Sequence, residues 1–410
     1  MTSEHDIRMR GFLRRTPVPT FRQIIQQHSP PLPGEPVPLV EALGRVLAQP
    51  VVARQDVPHF DRAAMDGYAL RGEETFGAGP YHPVPFHIVG EALPGRPYPK
   101  AISSGEAVRV MTGAPIPEGA DAVLMAEAAQ SSGEWMDALE DVPPLRHVSR
   151  VGEDVRTGTP LLPSGRVLRP ADLGLLAAQG MDHALVLQKP TVEVLVTGSE
   201  LCLPDQAPED HRIFDSDSVM LQALIQRDGG HLLRIQHLPD DREAWKAALA
   251  RVSADVVLIT GGTSVGTEDH GPSLLSELGE LLVHGIPLRP AAPTGFGLLE
   301  RSRVFLLPGN PAACFCAYDC FVREALCAMG GRSLEWPYRT QNVRLRTKLS
   351  SQVGRMEYIR VRIEGAEAQV LASGGASILS SLTRADGFLL TDEASEGFEA
   401  GAAVTVWRYD

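Results

Sequence analysis

The strongest constraint on this chain is a pattern used three times between residues 192 and 311. An apolar run of strand length stops abruptly at a polar loop that carries glycine. Val194-Leu195-Val196 gives way to Thr197-Gly198-Ser199-Glu200. Val256-Val257-Leu258-Ile259 leads through Thr260 to Gly261-Gly262-Thr263-Ser264, then to Gly266 and Asp269. Val304-Phe305-Leu306-Leu307 ends in Pro308-Gly309-Asn310-Pro311. Short apolar runs bounded by glycine and proline read as buried strands. Helical signals lie between them. Ser216 and Asp217 are candidate caps for a helix carrying Met220, Ala223 and Leu224 that stops at Gly229-Gly230. Asp241 can open another, with Trp245, Ala248, Leu249 and Val252 on one face. Strand–helix–strand alternation predicts a parallel, doubly wound sheet whose loops gather at its carboxyl edge, where ligands bind. Glycines let backbone N–H groups approach an anion, the hydroxyls of Thr263 and Ser264 add donors, and Asp269 can hold a cation or a hydroxyl.

The flanking sequence has another character. Thr20 can cap a helix with Phe21, Ile24 and Ile25, and residues 39–48 read as a second helix. Residues 56–70, with Pro58 and an Asp66-Gly67 turn, suggest a loop at a pocket rim. Residues 71–144 are rich in Pro and Gly and carry β-like runs at 86–89, 107–111 and 122–125; Thr112-Gly113 ends the second as Thr197-Gly198 ends its own strand. Pro170 starts a helix expected to turn Leu173, Leu176 and Ala177 inward before Gly180. From residue 333 on, runs at 342–349, 357–364, 369–371, 388–390 and 403–408 predict a small β-barrel or sandwich. The expected division is 1–55 packing with 145–188 as a linking domain, 56–144 as a β-rich insertion, 189–331 as the α/β domain and 332–410 as the barrel. The fold class is α/β, multi-domain.

A formal charge of −13 argues against a general nucleic-acid role, which needs a basic face. It leaves room for an anionic ligand, because Mg²⁺ can bridge carboxylates and phosphates. Without an apolar span or a signal segment, the expectation is a cytoplasmic protein with no membrane and no nucleic-acid partner. The cysteine count is odd. Cys314, Cys316, Cys320 and Cys327 fall in one helical stretch at spacings unlike a metal knuckle, so they read as small core residues.

Taken in order, FDRAAMDGYAL, VRVMTGAPIPEGADAV, VGEDVRTG, TGSEL, ITGGTSVGTED, LPGNPAA and SILSSLTRADG resemble the signature stretches of the MoeA-type molybdopterin molybdenumtransferases, the family of the gephyrin E-domain. The resemblance runs from about residue 20 to the end. It implies a cytoplasmic enzyme of molybdenum cofactor biosynthesis, with a MogA-like molybdopterin-binding domain. Such an enzyme takes molybdate and adenylylated molybdopterin as substrates, uses Mg²⁺, and releases AMP and molybdenum cofactor. It implies an elongated homodimer, with the adenylyltransferase of the preceding step and molybdoenzyme chaperones as possible partners. Residue by residue, the family's functional acids fall on Asp66, Asp154, Glu200, Asp240 and Asp269, and its threonine on Thr112. Glu200 and Asp269 are the implied metal ligands. Gly261, Gly262, Thr263, Ser264, Gly266, Pro308, Gly309 and Asn310 are the implied substrate-binding positions. Molybdate contacts match Arg355 and Ser377, and Arg289 stands in for a lysine.

One stretch departs from the family. Its K-P-G-K-P motif reads Arg289-Pro290-Ala291-Ala292-Pro293 here, an upstream lysine falls on Gly285, and a serine falls on Ala64. Fewer cations for a dianion leave two alternatives beside molybdenum insertion: a paralogue that binds and delivers cofactor, or an enzyme that inserts tungstate.

Overall fold

The computed structural model describes residues 15–205, 211–264 and 269–409. They form two compact units, one from the segments up to Glu35 and from Leu187 on, the other from residues 36–186.

The first unit opens with helix α1 (Val18–Gln27), which begins after Pro17 and not at Thr20. Phe21 and Ile25 of α1 are buried in this unit's main core.

The 36–186 unit is built on a six-stranded sheet: β1 (Gly67–Leu70), β2 (Val84–Ala92), β3 (Glu106–Val110), β4 (Ala122–Met125), β5 (Ala129–Ser132) and β6 (Trp135–Ala138), in the order β4-β1-β3-β2-β6-β5. Alternation puts Tyr68, Leu70, Phe86 and Leu124 in one core and Ala69, Val108, Val110 and Val123 in another. The run 56–70, expected to be loop, thus supplies a strand. The helix expected over 39–48 is one 3₁₀ turn, Leu39–Glu41. Gly44 takes a left-handed φ of 71°, and Val46 and Leu47 form antiparallel bridges to Val167 and Val186. Helix α2 (Pro170–Ala178) buries Leu176 and Asp172 while Ala177 is exposed. Asp172 is held by Arg166 at 3.0 Å and Arg169 at 3.3 Å.

The other unit carries β7 (Thr191–Thr197), α3 (Asp217–Arg227), β8 (His231–Leu238), α4 (Arg242–Leu249), β9 (Val256–Thr260), α5 (Gly271–Leu278), β10 (Glu280–His284), β11 (Leu288–Arg289), β12 (Gly295–Leu299) and β13 (Ser302–Leu307). The sheet order is β8-β7-β9-β13-β12-β10. The first four strands are parallel, as expected, but β12 and β10 add an antiparallel edge, so the sheet is mixed. From β7 the chain goes out to β8 on one side and returns to β9 on the other. The gap between β7 and β9 is therefore the switch point of the sheet. Val192, Val194 and Val196 face a core with Leu221 and Ile225 of α3; Leu195, Val257 and Ile259 face Trp245, Leu249 and Leu274. Asp241 caps α4 as expected, accepting from the Ala244 N–H at 2.8 Å. Ser216 makes no side-chain cap, and it is Asp215 that accepts from the Ser218 N–H at 3.0 Å.

After β13, α6 (Pro311–Ala317) runs through one π turn, Tyr318–Val322, into α7 (Arg323–Met329). Cys314, Cys316, Cys320 and Cys327 are buried along it, all as free thiols. Burial pushes the Cys320 thiol up to about 12, which suits inert core residues.

Five longer strands follow, β14 (Arg339–Leu345), β15 (Met356–Glu364), β16 (Glu367–Ala372), β17 (Gly387–Thr391) and β18 (Ala403–Arg408). Pairing runs β15-β16-β14-β18-β17 and back to β15, a closed five-stranded barrel filled by Val343, Ile359, Val361 and Val406. The short β11 adds to it in parallel, with Leu288 opposite Met356 and Arg289 opposite Glu357. Tyr358 and Phe388 join the core of the α/β layer. No described helix is long and apolar enough to cross a membrane.

Candidate active site

At the switch point lies a cavity of about 740 Å³. All three glycine loops reach it: Gly198 and Glu200 from the end of β7, Gly261, Gly262, Thr263 and Ser264 from the end of β9, and Pro308, Gly309 and Asn310 from the end of β13. Asp240, Asp269 and Ser377 also line it. Gly266 lies outside the described residues.

Two glycines are required by close approach. At Gly261, φ is 84°, and a Cβ would sit 2.4 Å from the Thr197 carbonyl oxygen. Any side chain there would pry β7 and β9 apart at their ends. At Gly198 a Cβ would lie 2.6 Å from a carboxylate oxygen of Glu200, so the bare Cα is what lets Glu200 fold back over its own loop. Side chains lock the rest. Thr263 donates to the Leu307 carbonyl at 2.8 Å, Thr197 donates to the Thr260 carbonyl at 3.1 Å, and Asp240 accepts from the Ser199 N–H at 2.8 Å. His284 sits 2.9 Å from the Thr263 carbonyl, which can only accept, so Nε2 carries the proton, and burial lowers the pKa of the ring.

Two acids missed in the sequence line the same cavity. Asp215 caps α3 and pairs with His237 Nε2 at 2.7 Å. Burial works against its charge, but the Ser218 hydrogen bonds and His237 hold its pKa below the usual value. Asp217 is 5% exposed. Its Oδ2 accepts from Thr260 at 2.9 Å and its Oδ1 has no partner. Burial pushes Asp217 up to about 7, with the nearby Asp215 adding to the rise. The signal was visible as Asp-Ser-Asp before a helix; the capping rule pointed to the wrong two residues of the three.

Five carboxyl groups therefore face this cavity, from Glu200, Asp215, Asp217, Asp240 and Asp269, and its lining includes no Lys or Arg among the described residues. A phosphate entering alone would meet uncompensated negative charge. The donor set fits a hard divalent cation shared with the ligand's own phosphates, since Mg²⁺ commonly takes one or two protein carboxylates plus phosphate oxygens. It does not form a ready cage: among the described residues no three His, Cys, Asp or Glu side chains converge as a metal site.

The cations lie in a second cavity of about 420 Å³, lined by Arg15, Arg289, Arg355, Pro287, Pro290 and Ala292. Arg289 and Arg355 are thus brought together, while Ser377 lines the larger cavity. Arg360 also reaches the loop bearing Ser377. It is fully buried, donates to the Gly374 and Tyr358 carbonyls, and leaves Nε without a partner. Arg289 packs against the same loop, its Nη2 only 2.5 Å from where a Cβ on Gly374 would lie. Ala292 lines the smaller cavity and its neighbour Pro293 the larger, so the two cavities adjoin at residues 292–293.

Asp66, Thr112 and Asp154 belong to the 36–186 unit. Adjacency of β1 and β3 puts Asp66 beside Thr112, whose N–H and hydroxyl both donate to Asp66 Oδ1 at 2.7 Å and hold the carboxyl below its usual pKa. Asp154 stands on an exposed turn, its N–H donating to the Val57 carbonyl at 3.0 Å.

Residues 16–180 match the MoeA N-terminal region (domains I and II), 193–328 a probable molybdopterin-binding domain, and 342–409 the MoeA C-terminal region (domain IV). The chain is 33% identical to molybdopterin molybdenumtransferase 2 of Mycobacterium tuberculosis, covering 90% of this chain and 94% of that one. It belongs to the MoeA family. A putative molybdopterin biosynthesis protein of Methanocaldococcus jannaschii is 32% identical, covering 90% of this chain and 91% of that relative. Among solved structures, a molybdopterin biosynthesis MoeA protein from Pyrococcus horikoshii superposes with a TM-score of 0.83 at 31% identity, over 97% of this chain and all of that one. The MoeA relationship thus spans the α/β layer, the barrel and the 36–186 unit together.

Proposed function

We propose that this MoeA-family chain is a molybdopterin molybdenumtransferase acting in molybdenum cofactor biosynthesis. It takes adenylylated molybdopterin and molybdate and releases AMP and molybdenum cofactor. One observation carries the reading: a glycine-loop cavity lined by carboxylates stands beside an arginine-lined cavity, Ala292 lining the second and its neighbour Pro293 the first. The first suits a pyrophosphate that brings a cation, the second a tetrahedral oxyanion.

The residues divide the work by chemistry. Backbone N–H groups of the glycine loops would hold phosphate oxygens, and the hydroxyls of Thr263 and Ser264 would add donors. Glu200 and Asp269 would hold Mg²⁺, which when bound neutralises pyrophosphate charge and polarises the bond to be cleaved. Asp240 keeps the Glu200 loop in place through Ser199. Water adds to phosphorus of the P–O–P link and AMP leaves; at the dithiolene end two thiol sulfurs bond to molybdenum while their protons depart with one molybdate oxygen as water, at unchanged oxidation state. Arg289 and Arg355 supply guanidinium forks that match an oxyanion bidentately.

The active form on this reading is a homodimer, in which Asp66 and Thr112 of one subunit complete the other's cavity. Mixing an inactive Asp66→Asn variant with an inactive Asp269→Asn variant would then restore activity in the mixed dimers; no restoration would count against shared sites.

The test of the function is AMP release and cofactor formation from adenylylated molybdopterin with molybdate, tungstate or neither. Molybdate-dependent turnover supports insertion. Turnover confined to tungstate moves the assignment to that oxyanion. Tight pterin binding without AMP release under any condition makes the chain a cofactor-delivery protein.

A further inference from the structure

We infer that Glu357 is a positioning residue that sets the spacing and aim of Arg289 and Arg355 for oxyanion capture. The inference rests on the oxyanion reading of the smaller cavity.

The geometry starts with the strands. β11 is only two residues long, and its pairing with β15 puts Arg289 directly opposite Glu357. Arg355 lies two residues before Glu357, at the mouth of the same strand. The Glu357 side chain is 1% exposed and uses one oxygen for both arginines: Oε1 accepts from Arg355 Nε at 3.0 Å and lies 3.6 Å from Arg289 Nη1. Its backbone is fixed as well, the N–H donating at 3.1 Å to the hydroxyl of Thr391, its partner on the neighbouring β17. The other oxygen, Oε2, is buried with no partner.

A buried acid of purely structural use tends to have its lone pairs satisfied. This one is not. Both guanidiniums are instead tied to a single atom, each by one edge, while both side chains remain partly exposed and line the cavity. Tying one edge of each fork leaves other N–H groups free of Glu357. The shared carboxylate also offsets the repulsion between two like charges held side by side. Arg289 and Arg355 against the one carboxylate of Glu357 leave a formal excess of one positive charge, the sign an oxyanion needs.

The arrangement also accounts for the departure in this chain. Ala292 lines the cavity without charge, where the family motif has lysine. A flexible lysine cluster can gather round an anion by itself. Two planar forks need an anchor, and Glu357 provides one.

The test is steady-state AMP release by the full-length protein as a function of molybdate, for wild type, Glu357→Gln and Glu357→Asp. Gln keeps the shape but loses the charge; Asp keeps the charge on a shorter arm. The expected result is a molybdate KM raised about tenfold in Glu357→Gln, the size of losing one charge-assisted hydrogen bond. Turnover at saturating molybdate and KM for the adenylylated pterin should stay within about twofold of wild type. Glu357→Asp should fall between wild type and Gln. If Glu357→Gln does not fold, a raised molybdate KM with unchanged turnover in Glu357→Asp carries the same test. A lowered or unchanged molybdate KM, or an equal loss in every parameter without rescue by Asp, overturns the inference. If wild-type turnover itself shows no dependence on any oxyanion, the functional reading fails first, and the two failures are told apart.

Discussion

Replacing Asp217 with asparagine should stabilise the protein, and the gain should grow with pH. In the native state burial lifts this carboxyl to about 7, from an ordinary value of 3.8. Between those two values the folded form holds a proton that the unfolded chain has released. Stability from this group is therefore full below the unfolded value and is lost as pH rises through the window, levelling off above about 7. The shift of about 3 units corresponds to about 4 kcal/mol at 1.36 kcal/mol per unit. At pH 5.5 the penalty is about 2 kcal/mol and at pH 8 about 4 kcal/mol, so the variant's advantage should grow by about 2 kcal/mol between them. Asparagine retains an oxygen to accept from Thr260 and carries no charge to desolvate. Urea unfolding of both proteins at pH 5.5, 7 and 8 measures it, read on a probe in the α/β unit such as the buried Trp245. An advantage that stays constant across pH, or a variant less stable at pH 8, would refute the view that Asp217 is held protonated by burial.

Three further predictions follow from the two cavities. Asp269→Asn keeps shape but removes a carboxylate from the glycine-loop cavity, so AMP release should fall at least about tenfold with unchanged circular dichroism; wild-type turnover would count against Asp269 as a ligand of the proposed Mg²⁺. Arg289→Ala should raise the molybdate requirement about tenfold or more, the worth of a hydrogen bond to a charged group, with pterin binding retained, and Ala292→Lys in the wild-type background should lower it; molybdate titrations that do not move in either variant would place the oxyanion elsewhere. Gly261→Ala should cost about 2 kcal/mol or more, because it combines a left-handed backbone with a 2.4 Å contact to the Thr197 carbonyl, and thermal unfolding with AMP release in parallel would show it; wild-type stability and turnover would mean the loops separate more freely than their packing implies.

The parts of this fold legible in the sequence were those fixed locally. Apolar runs ending in Thr-Gly, Gly-Gly or Pro-Gly gave the strand ends, and hence one edge where Glu200 and Asp269 line a cavity; Asp240 came only from the family resemblance. Asp241 fits the rule for a helix cap, and Ala403–Arg408 alternates as a barrel strand should. What failed depended on partners distant in sequence. Val46 and Leu47 look helical beside Leu43, yet they bridge to Val167 and Val186. The Pro170 helix turns Asp172 inward because Arg166 and Arg169 await it, a pairing that hydrophobic periodicity does not register. The antiparallel edge β12–β10 interrupts a parallel pattern that composition alone would continue. At the site, Asp217 and Arg360 were hidden by type: an acid before a helix reads as a cap and an arginine in a strand reads as a solvated face, whereas both are buried here. Glu357 was passed over because nothing in the sequence says that β11 will lay Arg289 opposite it.

The most direct measurement of the central claim is the ratio of molybdenum incorporated into released cofactor to AMP formed, by purified wild-type protein given adenylylated molybdopterin, Mg²⁺ and limiting molybdate. Coupled chemistry in adjoining cavities predicts one molybdenum per AMP at every molybdate concentration, and negligible AMP without molybdate. AMP released freely with no metal incorporated would contradict it.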